Sequence, residues 1–181
     1  DGDEAPLLDL RELADHYAAS LVLDEAHALG ILGPEGRGLA AELGVYVDVV
    51  LGTLGKSFGG AGAFAASGPN TVELLRQRAR SYVFSTAPQP FLARTALAAA
   101  DLVEHAEAER TRLAEHGARL RRALKAQGYA VPEGRTPIVP VLLGDEARTM
   151  RVSEHLYACG ILAQGIRPPT VPPGTSRIRL V

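Results

Sequence analysis

A single cysteine, Cys159, stands among 181 residues. No internal disulfide can form, and a reducing compartment, the cytoplasm, is the expected setting. Neither sign of charge is in useful excess: 19 Lys and Arg against 21 Asp and Glu leave a formal net charge of −2. That removes any bulk electrostatic argument for nucleic acid or an anionic membrane as partner. No apolar run reaches the roughly 20 residues that a membrane-spanning helix needs. The acidic start, Asp1-Gly2-Asp3-Glu4, is unlike a secretory leader. Internal repeats and low-complexity tracts are missing too. What remains, 46% hydrophobic and 22% charged, is the composition of a globular protein of one or two domains with a real core. With no initiator methionine and an end in an apolar, strand-like segment, the chain reads as cut at both ends.

Taken in order, Leu10, Leu13, Ala14 and Tyr17 recur at helical spacing and predict an amphipathic helix over 7–19, broken by Ser20. Leu21 to Leu23 reads as a short buried strand running into Asp24-Glu25-Ala26-His27. Helix then strand, with polar residues at the strand's carboxyl end, is the unit of an α/β sheet, and ligands sit at those ends. Gly30 to Gly38 is a loop by composition. Val45 to Leu51 is a second strand, interrupted by Asp48, and Gly62 to Ser67 a third. Residues 70–80 read as a helix ending in Arg76, Arg78 and Arg80. Tyr82 to Thr86 is a short apolar run ending in hydroxyls.

A long helix is expected from Pro90 to Gln127, with Leu92, Ala96, Ala99, Val103, Ala106, Leu113, Leu120 and Leu124 as its buried stripe and Gly128 as its cap. Beyond it come a strand over 138–143 placed at a sheet edge by Pro140, a helix over 146–158 closed by Gly160, and a short strand over 161–164. A stiff loop follows from Arg167 to Gly174. The last strand sets Arg177 and Arg179 on one face.

The chemistry concentrates in Leu51-Gly52-Thr53-Leu54-Gly55-Lys56-Ser57-Phe58-Gly59-Gly60. One lysine sits among four glycines and two hydroxyls at the end of a strand. Glycines allow a sharp turn and close approach. Lysine becomes a nucleophile when its pKa is lowered, and hydroxyls with free backbone amides can hold an anion. A P-loop needs a glycine five residues before Gly55, and that position is Val50. Asp24-Glu25-Ala26-His27 spells the Walker B box of a DEAH-type helicase, but Gly55-Lys56-Ser57 follows that box instead of preceding it. A Schiff-base lysine for pyridoxal phosphate needs a partner acid for the pyridine nitrogen, and Asp24 offers one. His27 is placed to reach the ring's phenolic oxygen, and Thr53 the phosphate. A solvated glycine-rich loop, a capping aspartate and a structural histidine are the plainer readings of the same residues.

The motif set as a whole resembles the α-oxoamine synthase family of pyridoxal-phosphate enzymes. The carrying residues are Asp1-Gly2-Asp3 with Ala5-Pro6-Leu7, Asp24-Glu25-Ala26-His27, Gly36-Arg37-Gly38, Thr53 to Gly59, Phe84-Ser85-Thr86 and Arg167 to Pro172. They run in order from first residue to last. The resemblance implies pyridoxal 5'-phosphate as cofactor and fold type I, an α/β architecture. Residues 1–90 would belong to the large, mostly parallel sheet domain, 91–128 to a long connecting helix, and 129–181 to a small, incomplete α+β domain. It also implies catalytic roles for Lys56, His27 and Asp24, and cofactor contacts from Asp24, His27, Thr53, Lys56 and Thr86, the last from the neighbouring subunit of a homodimer with a shared active site. Arg179 would take an amino acid's carboxylate, and Arg167 and Thr170 would line the acyl side. No metal is expected.

The implied reaction is decarboxylative condensation of L-alanine with a pimeloyl thioester of coenzyme A or a carrier protein. A sister reaction using glycine or serine and a non-catalytic fragment of the fold are the alternatives. Family members are about twice as long, in keeping with a large domain plus a small one. An upstream phosphate loop, the ring that stacks on the cofactor and the last small-domain helix are absent here.

Overall fold

The computed structural model describes all 181 residues. Its contacts gather into two compact units, Ala5–Arg110 and Thr111–Val181, the second of which also takes in Asp1–Glu4. The division falls in the first turn of a helix.

The first unit carries helix α1 (Leu7–His16), strand β1 (Val22–Asp24), a 3-10 turn (Pro34–Gly36), α2 (Leu39–Leu43), β2 (Val49–Thr53), β3 (Ala63–Ser67), α3 (Pro69–Arg78), α4 (Arg80–Val83) and α5 (Pro90–Glu104). The strands form one sheet in the order β1-β2-β3. β1 and β2 are parallel, with Asp24 opposite Leu51. β2 and β3 are antiparallel, with Thr53 opposite Ala63. Leu7, Leu39 and Ala40 are buried together, and Leu21, Leu23, Ala28, Leu32, Val45 and Val47 pack on them. Fully burying one such leucine stabilises by about 1.5–3 kcal/mol.

Asp48, the polar residue in the second apolar run, fastens this unit. Its carboxylate accepts the Leu21 amide at 2.7 Å and the Arg11 guanidinium at 3.3 Å. Its own carbonyl accepts the Ser67 hydroxyl at 2.6 Å. Chiefly through the Leu21 amide, and then through Arg11, the carboxyl is held below the usual carboxylate range.

In the second unit, α6 (Glu107–Ala126) leads to β4 (Val139–Gly144), α7 (Glu146–Ala158), β5 (Gln164–Ile166) and β6 (Ser176–Leu180). The sheet order is β4-β6-β5, antiparallel throughout, so β4 with Pro140 is an edge strand. Val131, Val139, Val141, Ala163 and Ile178 form the core, with Leu124, Leu143, Val152, Leu156 and Leu180 against it. The strap Asp1–Glu4 is buckled to this unit. Thr136 Oγ1 donates to the Gly2 carbonyl at 3.1 Å, and Arg135 Nε and Nη2 donate to the two Glu4 oxygens at 2.7 Å each. Arg177 closes on Asp1.

Five sequence expectations need correction. The helix over 90–127 is two helices that break at His105 and Ala106. There Arg110 Nη1 donates to the Val103 carbonyl at 2.6 Å while its Nε and Nη2 hold Glu107, so a side chain takes over a carbonyl near the end of α5. Of the stripe proposed for that helix, Leu120 is exposed and the other positions are half-buried. In α1 the buried positions are Leu7 and Ala14, while Leu10, Leu13 and Tyr17 are exposed. The helix over 70–80 is interrupted at Ala79, which is extended. The strand expected at 161–164 lies at Gln164–Ile166, because Leu162 is turned out to solvent and Ala163 alone is buried ahead of it. No helix is long and apolar enough to cross a membrane.

Candidate active site

Asp24 ends β1 and Thr53 ends β2, and the two strands are parallel neighbours. Their carboxyl ends therefore open to the same side, where sheets of this kind place ligands. Asp24 Oδ1 accepts the Ala26 amide at 2.8 Å, an Asx turn that swings the chain off the strand. The carboxylate is exposed, and His27 lies exposed in the same turn.

Thr53 opens a loop that closes on itself. Its hydroxyl donates to the Gly62 carbonyl at 3.3 Å and accepts the Gly55 amide at 3.2 Å. The Leu54 amide donates to Gly62 at 2.9 Å, and the Gly60 amide returns to Leu54 at 2.7 Å. A tighter turn, Gly59 amide to Lys56 carbonyl at 2.9 Å, carries the exposed Lys56. The next residue ties this loop to the turn that follows β1: Ser57 Oγ donates to the Leu29 carbonyl at 2.6 Å. Gly52, buried in β2, lets the strand pass under Phe64 and Leu29; a Cβ there would collide with the Phe64 ring and stand 2.7 Å from a Leu29 methyl.

Between Asp24 and His27 lies a residue the sequence reading passed over. Glu25 is 2% exposed, and its carboxylate receives the Leu39 amide at 3.1 Å on Oε2 and the Ala40 amide at 2.9 Å on Oε1. Helix α2 has Gly38 at its N-cap and no capping side chain of its own. Glu25 supplies the missing acceptor from 14 residues away. Gly38 has φ +96°, and a Cβ there would lie 2.8–2.9 Å from the Glu25 carboxylate. The Asp24–His27 and Gly36–Gly38 motifs are thus two halves of one contact. The signal in the sequence was a helix start without a Ser, Thr, Asp or Asn.

The other site candidates are on other elements. Thr86 is exposed on the segment between α4 and α5. Arg167, Thr170 and Arg179 belong to the second unit. Arg167 pairs with Glu146 at 2.9 Å, and the Thr170 amide donates to the Arg167 carbonyl at 3.0 Å. Arg179 sits on β6 opposite Pro140 and Gln164 and borders a cavity of about 690 Å³. No group of three or more His, Cys, Asp or Glu side chains is gathered closely enough to hold a metal ion.

The family model for aminotransferase class I and II matches residues 1–181. The chain belongs to the aminotransferase class I and II family. Within it, the chain is 49% identical over 182 residues to the 8-amino-7-oxononanoate synthase of Anaeromyxobacter dehalogenans, covering 99% of this chain and 46% of that one. Among solved structures, an SPT with PLP superposes with a TM-score of 0.92 at 33% identity, covering 98% of this chain and 46% of that one. The 8-amino-7-oxononanoate synthase of Francisella tularensis gives 0.82 at 28% identity, covering 97% and 52%. The chain spans about half the length of the curated relatives it matches. As a member of this fold family it is α/β, and the strands seen here form mixed and antiparallel sheets.

Proposed function

We propose that the chain is part of a pyridoxal-phosphate-dependent acyltransferase of the 8-amino-7-oxononanoate synthase kind. The net reaction takes L-alanine and a pimeloyl thioester to 8-amino-7-oxononanoate, carbon dioxide and the free thiol, a step of biotin synthesis. The observation that carries the reading is the grouping of Asp24, His27, Thr53 and Lys56 at the carboxyl ends of two adjacent parallel strands. Chains named for this activity, 46–49% identical over the whole of this one, support it.

The residues fit the cofactor chemically. Pyridoxal phosphate, when bound, supplies a ring that accepts the electron pair left at the amino acid's α-carbon. Asp24 keeps one oxygen on the Ala26 amide and would offer the other to the pyridine N–H. A partly buried ion pair of that kind shifts a pKa by as much as ~1–3 units. Thr53 Oγ1 would exchange its long 3.3 Å bond to Gly62 for a phosphate oxygen. His27 would donate to the phenolic oxygen. Lys56 Nζ would hold the cofactor's carbonyl carbon and then move the proton at the substrate α-carbon. Arg179 would take the amino acid's carboxylate, and Arg167 and Thr170 the acyl substrate. Thr86 would serve the phosphate of a second copy in a cytoplasmic homodimer. Residues 1–90, 91–128 and 129–181 would then be parts of the large domain, its connection and the small domain.

A sister activity that uses serine or glycine is the second reading, favoured by the TM-score of 0.92 to SPT. Product analysis with alanine, serine and glycine against several acyl thioesters separates the two.

The direct test is to add pyridoxal phosphate, follow the visible absorption band, reduce with borohydride and map the modified peptide. The label is expected on Lys56, and Lys56→Ala should lose both label and turnover. Steady-state product from Lys56→Ala would overturn the assignment.

A further inference from the structure

The two arginines of β6 share a face, yet their surroundings differ. Strand alternation sets Arg177 and Arg179 on the same side, about 7 Å apart. Arg177 is engaged: its guanidinium pairs with the Asp1 carboxylate, and its Nε donates to the Thr175 carbonyl at 2.9 Å. Both members of the pair are largely buried, at 15% and 17% side-chain exposure. Arg179 is half-buried, pairs with no carboxylate of the chain, and borders the cavity with Ser153, Glu154, Tyr157, Leu162 and Gln164.

Asp1 is held in place by its neighbours. Gly2 has φ +91°, a conformation that favours glycine, and a Cβ there would meet the Ile138 carbonyl at 2.9 Å. The Thr136 hydroxyl holds the Gly2 carbonyl, and Arg135 grips Glu4 with two 2.7 Å bonds. The strap thus delivers a carboxylate to one of two arginines and leaves the other uncovered.

We propose that Asp1 is a specificity-determining residue: by neutralising Arg177 it leaves Arg179 as the one arginine of β6 without a paired carboxylate, so that the site accepts an amino acid with one carboxylate over one with two. This rests on the reading that Arg179 takes the substrate carboxylate. Without Asp1, a second guanidinium two residues along the strand, about 7 Å by strand rise, would favour a dianion by roughly three- to tenfold, the Coulomb effect at that order of distance in a half-solvated, salt-screened setting.

Acetate and malonate are the probes, titrated into the full chain while the Nε–Hε resonances of Arg177 and Arg179 are followed by NMR. In the unaltered chain acetate should move the Arg179 signal, leave that of Arg177 in place, and bind within about twofold of malonate. In Asp1→Asn the malonate-to-acetate preference should rise about three- to tenfold, with the Arg177 signal now moving too. Adding Arg177→Gln to that variant should return the preference to its starting value. If Asp1→Asn fails to fold, Arg177→Gln alone decides with the opposite sign, because the bared Asp1 carboxylate should weaken acetate about three- to tenfold. An unchanged preference in Asp1→Asn, or unchanged acetate affinity in Arg177→Gln, overturns the proposal. Arg179→Gln separates the two ideas. Acetate binding that survives it removes the substrate-carboxylate reading itself. Binding lost there, with an unchanged preference in Asp1→Asn, removes only the role of Asp1. L-alanine against L-aspartate as competing substrates then gives the same comparison in KM.

Discussion

The Ser57 hydroxyl donates a 2.6 Å hydrogen bond to the Leu29 carbonyl. Through it, the turn carrying Lys56 is fastened to the segment that follows Asp24 and His27. Ser57→Ala should cost about 1 kcal/mol, the usual worth of one such bond, read as a lower urea midpoint. The stronger signature is local: amide exchange over 55–59 should accelerate while the core strands stay protected. Equal exchange in the two proteins would mean that the loop is held by its backbone turns alone.

Glu25→Ala should be far more damaging than its distance from Lys56 suggests. It strips the acceptor from the Leu39 and Ala40 amides inside the unit. Each buried donor left unpaired costs about 1–3 kcal/mol, so a loss of roughly 2–6 kcal/mol for the two amides is expected in urea unfolding. Glu25→Gln, which keeps one acceptor oxygen, should fall between. A normal midpoint in Glu25→Ala would refute the capping role.

Asp48 predicts an acid limb. Its folded carboxyl is held below the ordinary value of 3.8, first by the Leu21 amide and then by Arg11. A depressed folded pKa gives stability that is fully present above 3.8 and is lost as pH falls through the folded value. Asp48→Asn should therefore flatten the stability profile below about pH 4 and leave its shape at neutral pH alone. Thermal melts across pH 2–6 check this.

His105 predicts the opposite limb. The ring bonds the Asp101 carbonyl at 2.8 Å, with Glu104, Asp101 and Glu35 nearby, and these raise its pKa above 6.5. A raised folded pKa gives stability that is present below 6.5 and fades as pH climbs through the folded value. His105→Gln should remove that slope between about pH 6 and 8. NMR titration of the ring reports the shift directly, and an ordinary pKa would sink the idea.

How much of this was legible depends on the range of the forces involved. α7 was expected at 146–158 and is found at Glu146–Ala158, because its signals are local: Asp145 caps the Arg148 amide at 2.6 Å, and Gly160 follows. The ends of β1 and β2, with Asp24 and Thr53, were legible for a similar reason, since an apolar run stops where polar residues begin. The interruption of the helix over 90–127 was not, because no glycine or proline marks residues 105 and 106; Arg110 makes the break by folding back on Val103. The α1 stripe misled because Leu10, Leu13 and Tyr17 satisfy helical spacing while only Leu7 and Ala14 meet the core. Lys56 and Asp24 were chosen for their chemistry. Glu25 was overlooked because its partners lie at the start of α2 and its function is to accept two amides.

The contact between Glu25 and Gly38 has a consequence for how the chain can vary by descent. A side chain at position 38 meets a carboxylate 2.8 Å away that two amides hold in place. A shorter residue at position 25 strands those amides. Neither position can change first without loss, so the two should be inherited as a pair, and a lineage that abandons one should be found to have abandoned the other.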